Sequence, residues 1–473
     1  MIDVSGFKSW LFTTSEYSNA TVSNIISRLK RADALLPWFN DEVYIFRLEQ
    51  NKGYQQLSCS VRSQIKKAVK LYFDFCSFNR EKTSISATSK KKMNVLSLFA
   101  NIGVAEAYLD EIGFNVAVAN ELIERRANLY SEIYPNTKMI CGDITNETVY
   151  RNIVSSAIAA NIDIVMATPP CQGMSTAGQQ DADDFRNTLV CPVINIVKDI
   201  KPRYVFLENV PMFLNTTISV NGEYILIPEL LDRELSKDYF IRKYVINTQD
   251  YSVPQMRERA IILMTRKGEP EWLLPGKDKK IVTMEEAIGH LPPLDPYITD
   301  IDENELLEMF PQFFERKKKA EKVSKWHTPP HHIKRQVVAM QHTATGCTAF
   351  DNPKYFPIKE DGTPVKGYHN TYKRQNWNTA AYTVTMDNRK ISSQNNVHPG
   401  RYIGEDENGD KLYSDARTLT LHEIMIIMSL PKNWAAKTRA TEAFLRRIIG
   451  EGIPPLFVKK AFLALGEEKH DET

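Results

Sequence analysis

From Met93 onward, short apolar runs alternate with longer amphipathic ones. The short runs predict strands at 94–99, 115–119, 163–167, 204–207, 243–246 and 260–264. Between them the helical period returns, at 104–112 and 187–199 among others. Such alternation implies βαβ crossovers and a mostly parallel sheet covered on both faces, a doubly wound α/β fold. Upstream, Val22, Ile25, Ile26 and Leu29 recur at helix spacing, as do Val61, Ile65, Val69 and Tyr72. Residues 1–88 therefore read as a helical domain of two helices, with Lys66, Lys67 and Lys70 on the other face of the second. The polar stretch 83–92 reads as a linker. Residues 93–283 hold the alternating pattern, which fails across 284–409 and returns at 421–428 and 457–465. The irregular stretch is either a loop-rich functional domain or a disordered insertion, and 410–466 is a return to the α/β domain.

Composition narrows the class. With 473 residues, 42% of them hydrophobic and 25% charged, the chain is neither disordered nor fibrous. No apolar run approaches the ~18–20 residues that span a bilayer. The first residues lack a basic segment followed by an apolar one, so a cytoplasmic location is expected. Cysteines at 59, 76, 141, 171, 191 and 347 form no CxxC pair and read as reduced thiols. The net charge of +2 conceals two basic segments. Residues 1–92 carry 15 Lys+Arg against 8 Asp+Glu, and residues 311–376 carry 13 against 5, which leaves −13 for the remainder. Basic segments on an acidic body point to a polyanionic partner.

In a doubly wound sheet, ligands bind beyond the carboxyl ends of the strands. The first such end is the turn Phe99-Ala100-Asn101-Ile102-Gly103, where small residues let a backbone approach a nucleotide-like cofactor. The second ends in Glu121, placed to accept from ribose hydroxyls, and the third in Gly142-Asp143-Ile144, placed to accept from an adenine amino group. In this order they favour an adenosine-type cofactor. After strand 163–167 comes Thr168-Pro169-Pro170-Cys171-Gln172-Gly173. Two prolines stiffen the lead-in to a cysteine suited to nucleophilic attack, and a packing thiol needs no such lead-in. The strand at 204–207 runs into Glu208, a carboxyl among apolar walls that can hold a raised pKa and act as an acid.

At these residues the chain resembles the DNA cytosine-5 methyltransferase family, bacterial restriction-modification type, over roughly 93–466. Leu98-Phe99-Ala100 resembles its cofactor turn, Glu121 its ribose acid, and Gly142-Asp143-Ile144-Thr145 its adenine motif. Pro170-Cys171-Gln172 is similar to the nucleophile motif and Glu208-Asn209-Val210 to the ENV motif. The segment from Asp184 to Leu189 is similar to DxRGxL, and the one from Pro254 to Arg259 to PQxRxR. Arg417 matches the arginine that opens the ninth motif, and Gly450-Glu451-Gly452 resembles the tenth. Asn101 and Val104 stand where the family usually has glycines, Ser97 where Asp is common, Leu122 for a frequent tryptophan and Glu451 for a frequent asparagine.

The resemblance implies a Rossmann-like sheet with an irregular target recognition domain, and S-adenosylmethionine as methyl donor. It implies cofactor contacts from Phe99, Ala100, Asn101, Gly103, Glu121, Leu122, Asp143, Ile144, Pro170, Leu189 and Glu451. It further implies that the Cys171 thiolate attacks C6 of a flipped-out cytosine, with Glu208 at N3, Arg259 at O2 and Arg257 steadying the pocket. The expected DNA contacts are Gln172, Ser175, Gln255, Lys334, Arg335, Thr345, Arg374 and Arg417. Base-edge readers are sought among Gln341, Thr343, Thr345, Arg374 and Asn376, phosphate contacts among Lys317–Lys319, Lys334-Arg335 and Lys373-Arg374, and a lid at 172–178. Duplex DNA is the expected partner, bound as a monomer in the bacterial nucleoid, with a cognate restriction endonuclease in the same system. No metal is expected, because His327, His331 and His332 have no cysteine cluster beside them. An RNA cytosine-5 methyltransferase and a catalytically silent DNA reader are the alternatives. Residues 1–88 faintly resemble the helical DNA-clamping domain of tyrosine recombinases, which implies contact with flanking DNA; a protein-protein module is the alternative.

Overall fold

In the computed structural model, residues 2–14, 17–38, 44–86, 92–170 and 185–465 are described. The chain forms two compact units, Met1–Lys91 and Lys92–Thr473. In the larger, seven strands form one sheet: β1 (Met93–Leu98), β2 (Phe114–Glu121), β3 (Lys138–Cys141), β4 (Ile164–Ala167), β5 (Tyr204–Asn209), β6 (Tyr239–Asn247) and β7 (Glu258–Arg266). Their order is β3-β2-β1-β4-β5-β7-β6. Strands β1 to β5 pair in parallel, while β7 runs antiparallel between β5 and β6. All six predicted strand segments overlap these strands, with only 99 and 163 falling one residue outside. Every residue of β4 and β5 is buried, as strands covered on both faces require.

The sheet order reverses between β1 and β4, so the crevice at their carboxyl ends is the expected ligand position. One face is covered by helices Glu147–Ala159, Val190–Ile200 and Ile227–Leu235 through Ile153, Val193, Val197 and Leu231. On the other, the helix Pro455–Leu463 inserts Phe457 and Phe462 beside Phe114, Phe206 and Trp272. The chain thus packs back against the sheet at Pro455–Leu463. Both phenylalanines are fully buried, and truncating either to alanine would cost about 3–5 kcal/mol.

Three expectations need correction. The helix predicted at 104–112 is instead a run of turns closed by bonds such as Leu109 N–H to Glu106 O, ending in a short 3-10 segment, Asp110–Ile112. Its wheel places Glu106 outward, yet Ser97 Oγ donates to the buried Glu106 carboxylate at 2.6 Å. That inward pull is incompatible with the predicted apolar face. Secondly, the smaller unit contains five helices among its described residues rather than two: Val4–Thr14, Asn19–Leu35, Tyr44–Gln50, Lys52–Gln55 and Cys59–Ser86. The additional ones are too short or too weakly periodic to read from sequence. Finally, residues 83–86, read as linker, continue the last helix, since extending a formed helix by polar residues costs little.

The stretch after 284 is ordered. Ile298, Leu306, Phe313, Val337, Met340, Tyr372, Ile391 and Val397 form a core of their own. A second cluster packs Met284, Ile288, Trp377 and Val384 against Leu419, Ile424 and Leu445. Of the two readings left open by the sequence, the loop-rich domain fits and the disordered insertion does not.

Candidate active site

The turn after β1 is tightly wound. Phe99, Asn101 and Gly103 all have positive φ, at 58°, 52° and 80°. The two non-glycine residues are costly in this conformation, so their neighbours must hold them there. Ala100 N–H donates to Asn120 O at 2.9 Å, and Thr168 Oγ donates to Phe99 O at 3.1 Å. Glu121 accepts Asn101 N–H and Ile123 N–H, one on each carboxylate oxygen, both at 2.9 Å. Burial raises its pKa, and these two bonds oppose the rise. Each oxygen keeps a lone pair for a further donor.

Two departures from the family pattern meet here. Asn101 Nδ2 donates to Glu451 Oε2 at 3.2 Å, and Arg126 holds the same carboxylate at 2.9 Å. Asn101 Oδ1 is buried and receives no hydrogen bond among the described residues. Leu122 and Ile123, which follow Glu121, are 61% and 43% exposed, an apolar shelf beside the Glu121 carboxylate. Asp143 is exposed, and Gly142 N–H is fixed to Glu121 O at 3.0 Å. An orphaned acceptor, a carboxylate with spare lone pairs and an apolar shelf fit an adenosine cofactor carrying an ammonium group. Ile144 and Leu189 are core residues under this edge rather than exposed contacts. Phe99 packs against the same core, and Ala100 and Gly103 shape the turn.

Two strands away, β4 ends in the rigid Thr168-Pro169-Pro170. Asn209 Nδ2 donates to Pro169 O at 3.0 Å, and Thr168 N–H donates to Leu98 O at 3.3 Å. The prolines are thus clamped to β5 and β1 just ahead of Cys171. Cys171, Gln172, Ser175 and the remaining predicted lid residues lie outside the described residues. Glu208 stands one residue before Asn209, 7% exposed. Arg259 on the antiparallel β7 reaches it, Nε to Oε1 at 2.8 Å. Burial raises the Glu208 pKa, and the Arg259 and Arg257 charges pull the other way. A buried carboxyl held by an arginine thus stands at the end of β5, beside the prolines that follow β4.

The other predicted residues divide sharply. Arg257, read with the catalytic set, gives its guanidinium to Val384 O at 2.9 Å and Gly450 O at 2.8 Å. It acts as a positioning residue that ties β7 to two distant segments. Gln255 was expected on DNA but is fully buried, accepting Val384 N–H at 3.1 Å and donating to Met428 Sδ. Arg374, also expected on DNA, is buried on the carbonyls of His398, Asp415 and Met340. Arg417 is buried too, held by Glu423 through two bonds of 2.8 and 2.9 Å and by Asp415 at 2.8 Å. In each case complete burial, with the side chain bonded inside the protein, keeps it from DNA. Thr343 is likewise buried and bonded to Ala339 O.

Lys334 is exposed and paired with Glu305, Arg335 is partly exposed, and Thr345 donates to Pro399 O. Lys319 pairs with Glu315 along its own helix, while Lys318 is exposed. Gln341 and Asn376 are partly exposed. His327 and His332 bond to Thr420 and Thr418, and no group of three metal-ligating side chains occurs among the described residues. No described helix is long and apolar enough to cross a membrane. Sequence reasoning gave no role to Thr168 or Asn209 and did not single out Arg126. Asn209 was visible within its motif, whereas nothing in sequence ties Arg126 to Glu451, 325 residues away.

Residues 93–467 match the family profile described as C-5 cytosine-specific DNA methylase. The Type II methyltransferase M1.HgaI of Avibacterium volantium is 39% identical over 377 residues, 78% of this chain and 97% of its own. The Type II methyltransferase M.Eco47II of Escherichia coli is 24% identical and aligns over 94% of both chains. A solved structure of a candidate DNA modification methyltransferase encoded within an E. coli prophage has the same fold. It aligns over 79% of this chain and 98% of its own, at a TM-score of 0.52 and 17% identity.

Proposed function

Because the chain belongs to the C-5 cytosine-specific DNA methylase family and is a DNA cytosine methyltransferase, we propose that it methylates C5 of a flipped-out cytosine in duplex DNA through a covalent adduct at Cys171. The observation that carries this reading is the buried Glu208–Arg259 pair beside the clamped prolines that lead to Cys171. Cytosine C5 is a poor nucleophile until a group adds at C6. The Cys171 thiolate forms the S–C6 bond while Glu208 supplies a proton or hydrogen bond at N3, and the electron pair moves onto C5. C5 takes the methyl group, then loses its proton to a base, and the S–C6 bond breaks to release the thiolate. Arg259 holds Glu208 in place and offers its remaining donors to the base at O2.

S-adenosylmethionine, when bound, supplies an electrophilic methyl group. Glu121 would hold its ribose, Asp143 and the Leu122–Ile123 shelf its adenine, and Asn101 Oδ1 its ammonium group. A base inside a duplex cannot reach Cys171, so it is extruded at a cost of a few kcal/mol of unstacking. The exposed Lys318 and Lys334 and the partly exposed Arg335 lie within 284–409, the segment proposed to recognise the target. The relatives are Type II methyltransferases, which supports a role in protecting sites from a partner endonuclease. The test is transfer of labelled methyl from S-adenosylmethionine to duplex DNA and, separately, to tRNA. Label in DNA alone, at cytosines protected from bisulfite conversion, is the expected result; label in tRNA alone overturns it.

A further inference from the structure

The family profile begins at residue 93, so Met1–Lys91 contributes something additional to the family's core. This unit packs around its own apolar cluster, including Phe7, Val22, Leu29, Ile65 and Tyr72. Its helices Asn19–Leu35 and Cys59–Ser86 meet at a polar seam, where Arg28 Nε donates to Gln64 Oε1 at 3.0 Å. Arg31 lies one turn beyond Arg28, and Lys67 and Lys70 lie one and two turns beyond Gln64. Lys30, Arg31, Lys67 and Lys70 are exposed, with exposed serines at 23, 27, 60 and 63 among them.

No Asp or Glu occurs between Thr21 and Arg31 or between Cys59 and Phe73, and Asp33 and Asp74, one turn after Lys30 and Lys70, form no ion pair with them. A merely solvated helix face ordinarily carries both signs in pairs one turn apart, as Phe313–Val323 does here with Lys319 and Glu315. On the smaller unit, Lys66 pairs with Glu49 on a neighbouring helix, while the other cations of the face have no carboxylate partner among the described residues. Arginine, lysine, serine and glutamine without acids is the donor set that contacts phosphates.

We propose that this face of residues 1–91 binds the sugar-phosphate backbone of duplex DNA outside the methylated site. The inference rests on duplex DNA as the substrate and adds a second, sequence-independent contact to it. The test uses the full chain carrying Lys30→Gln, Arg31→Gln, Lys67→Gln and Lys70→Gln together, none of them in the core. Affinity is measured against salt on random-sequence duplexes of about 15 and about 45 base pairs, with single-stranded RNA as a control. If each cation neutralises one phosphate, the slope of log affinity against log salt on the long duplex flattens by up to about 3–4. Affinity for the long duplex falls at least tenfold, while methyl transfer to saturating unmethylated genomic DNA keeps its kcat. An unchanged slope and unchanged affinity on the long duplex overturn the proposal. So does a loss confined to the RNA control. Absence of methyl transfer by the unsubstituted chain would instead count against the catalytic reading, so the two failures are distinguishable.

Discussion

Replacing Arg259 with leucine leaves the buried Glu208 carboxyl without its partner. At 2.8 Å the attraction between the two charges amounts to about 6 kcal/mol at an effective dielectric constant of ~20. Desolvation of both ions offsets much of that, and removing one partner of such a pair typically costs about 3–5 kcal/mol. The loss has a ceiling, because Glu208 can take up a proton. Burial already raises its pKa, and Arg259 is the strongest of the charges opposing that rise, so the variant raises it further. A carboxyl whose folded pKa exceeds its unfolded value favours the fold most below the unfolded value. That contribution is lost as pH climbs through the folded pKa. Arg259→Leu is therefore expected to be about 3 kcal/mol less stable than the parent under alkaline conditions. The deficit narrows by about 1.4 kcal/mol per pH unit across the range where Glu208 titrates in the variant. Urea unfolding at about pH 5.5, 7 and 8.5, followed by fluorescence of tryptophans that include Trp272 under the same sheet, measures the gap. A deficit independent of pH, or none, would refute the reasoning. Methyl transfer adds a second readout. Glu208→Gln and Arg259→Leu should each lose roughly 100-fold or more in rate, and the double variant little beyond either, because the pair acts as a unit.

Asn101→Gly and Glu451→Asn, which restore the usual family residues singly, should each weaken S-adenosylmethionine binding. The double variant should recover part of the loss, with a coupling of about 1–2 kcal/mol in calorimetric Kd values; strict additivity would show that the Asn101–Glu451 bond is not formed. Burial of Glu106 pushes its pKa up to about 7 from 4.5, despite the Ser97 bond. Its folded pKa lies above the unfolded one, so its contribution to stability is full below the unfolded value and declines up to about pH 7, by roughly 3 kcal/mol. Glu106→Gln should remove that decline, seen as a thermal midpoint that falls less than the parent's between about pH 5 and 7; parallel profiles would contradict it.

The sheet was legible because its central strands are buried on both faces and so appear as unbroken apolar runs, as 164–167 and 204–207 do. The meeting of Pro169-Pro170 with Glu208-Asn209 was legible because both sit at the carboxyl ends of neighbouring strands. The arginines were not. Arg374 and Arg417 lie in a basic or motif-bearing stretch, and sequence cannot distinguish a guanidinium aimed at phosphate from one buried on carbonyls and carboxylates. Gln255 failed for the same reason, since its partners come from residues 384 and 428. Glu106 misled because an inward carboxyl bonded to Ser97 reads as the polar side of a helix.

The central claim, addition of Cys171 to C6 of the target cytosine, is tested by trapping. With S-adenosylmethionine present, the full chain is incubated with a duplex found to be methylated by bisulfite sequencing and resynthesised with 5-fluorocytosine. The fluorine replaces the C5 proton, so elimination cannot follow methyl transfer. The wild-type chain should form a denaturation-resistant one-to-one adduct carrying labelled methyl, and Cys171→Ser should form none. An equal yield of adduct from Cys171→Ser, or methylated DNA from the wild type with no adduct, would contradict it.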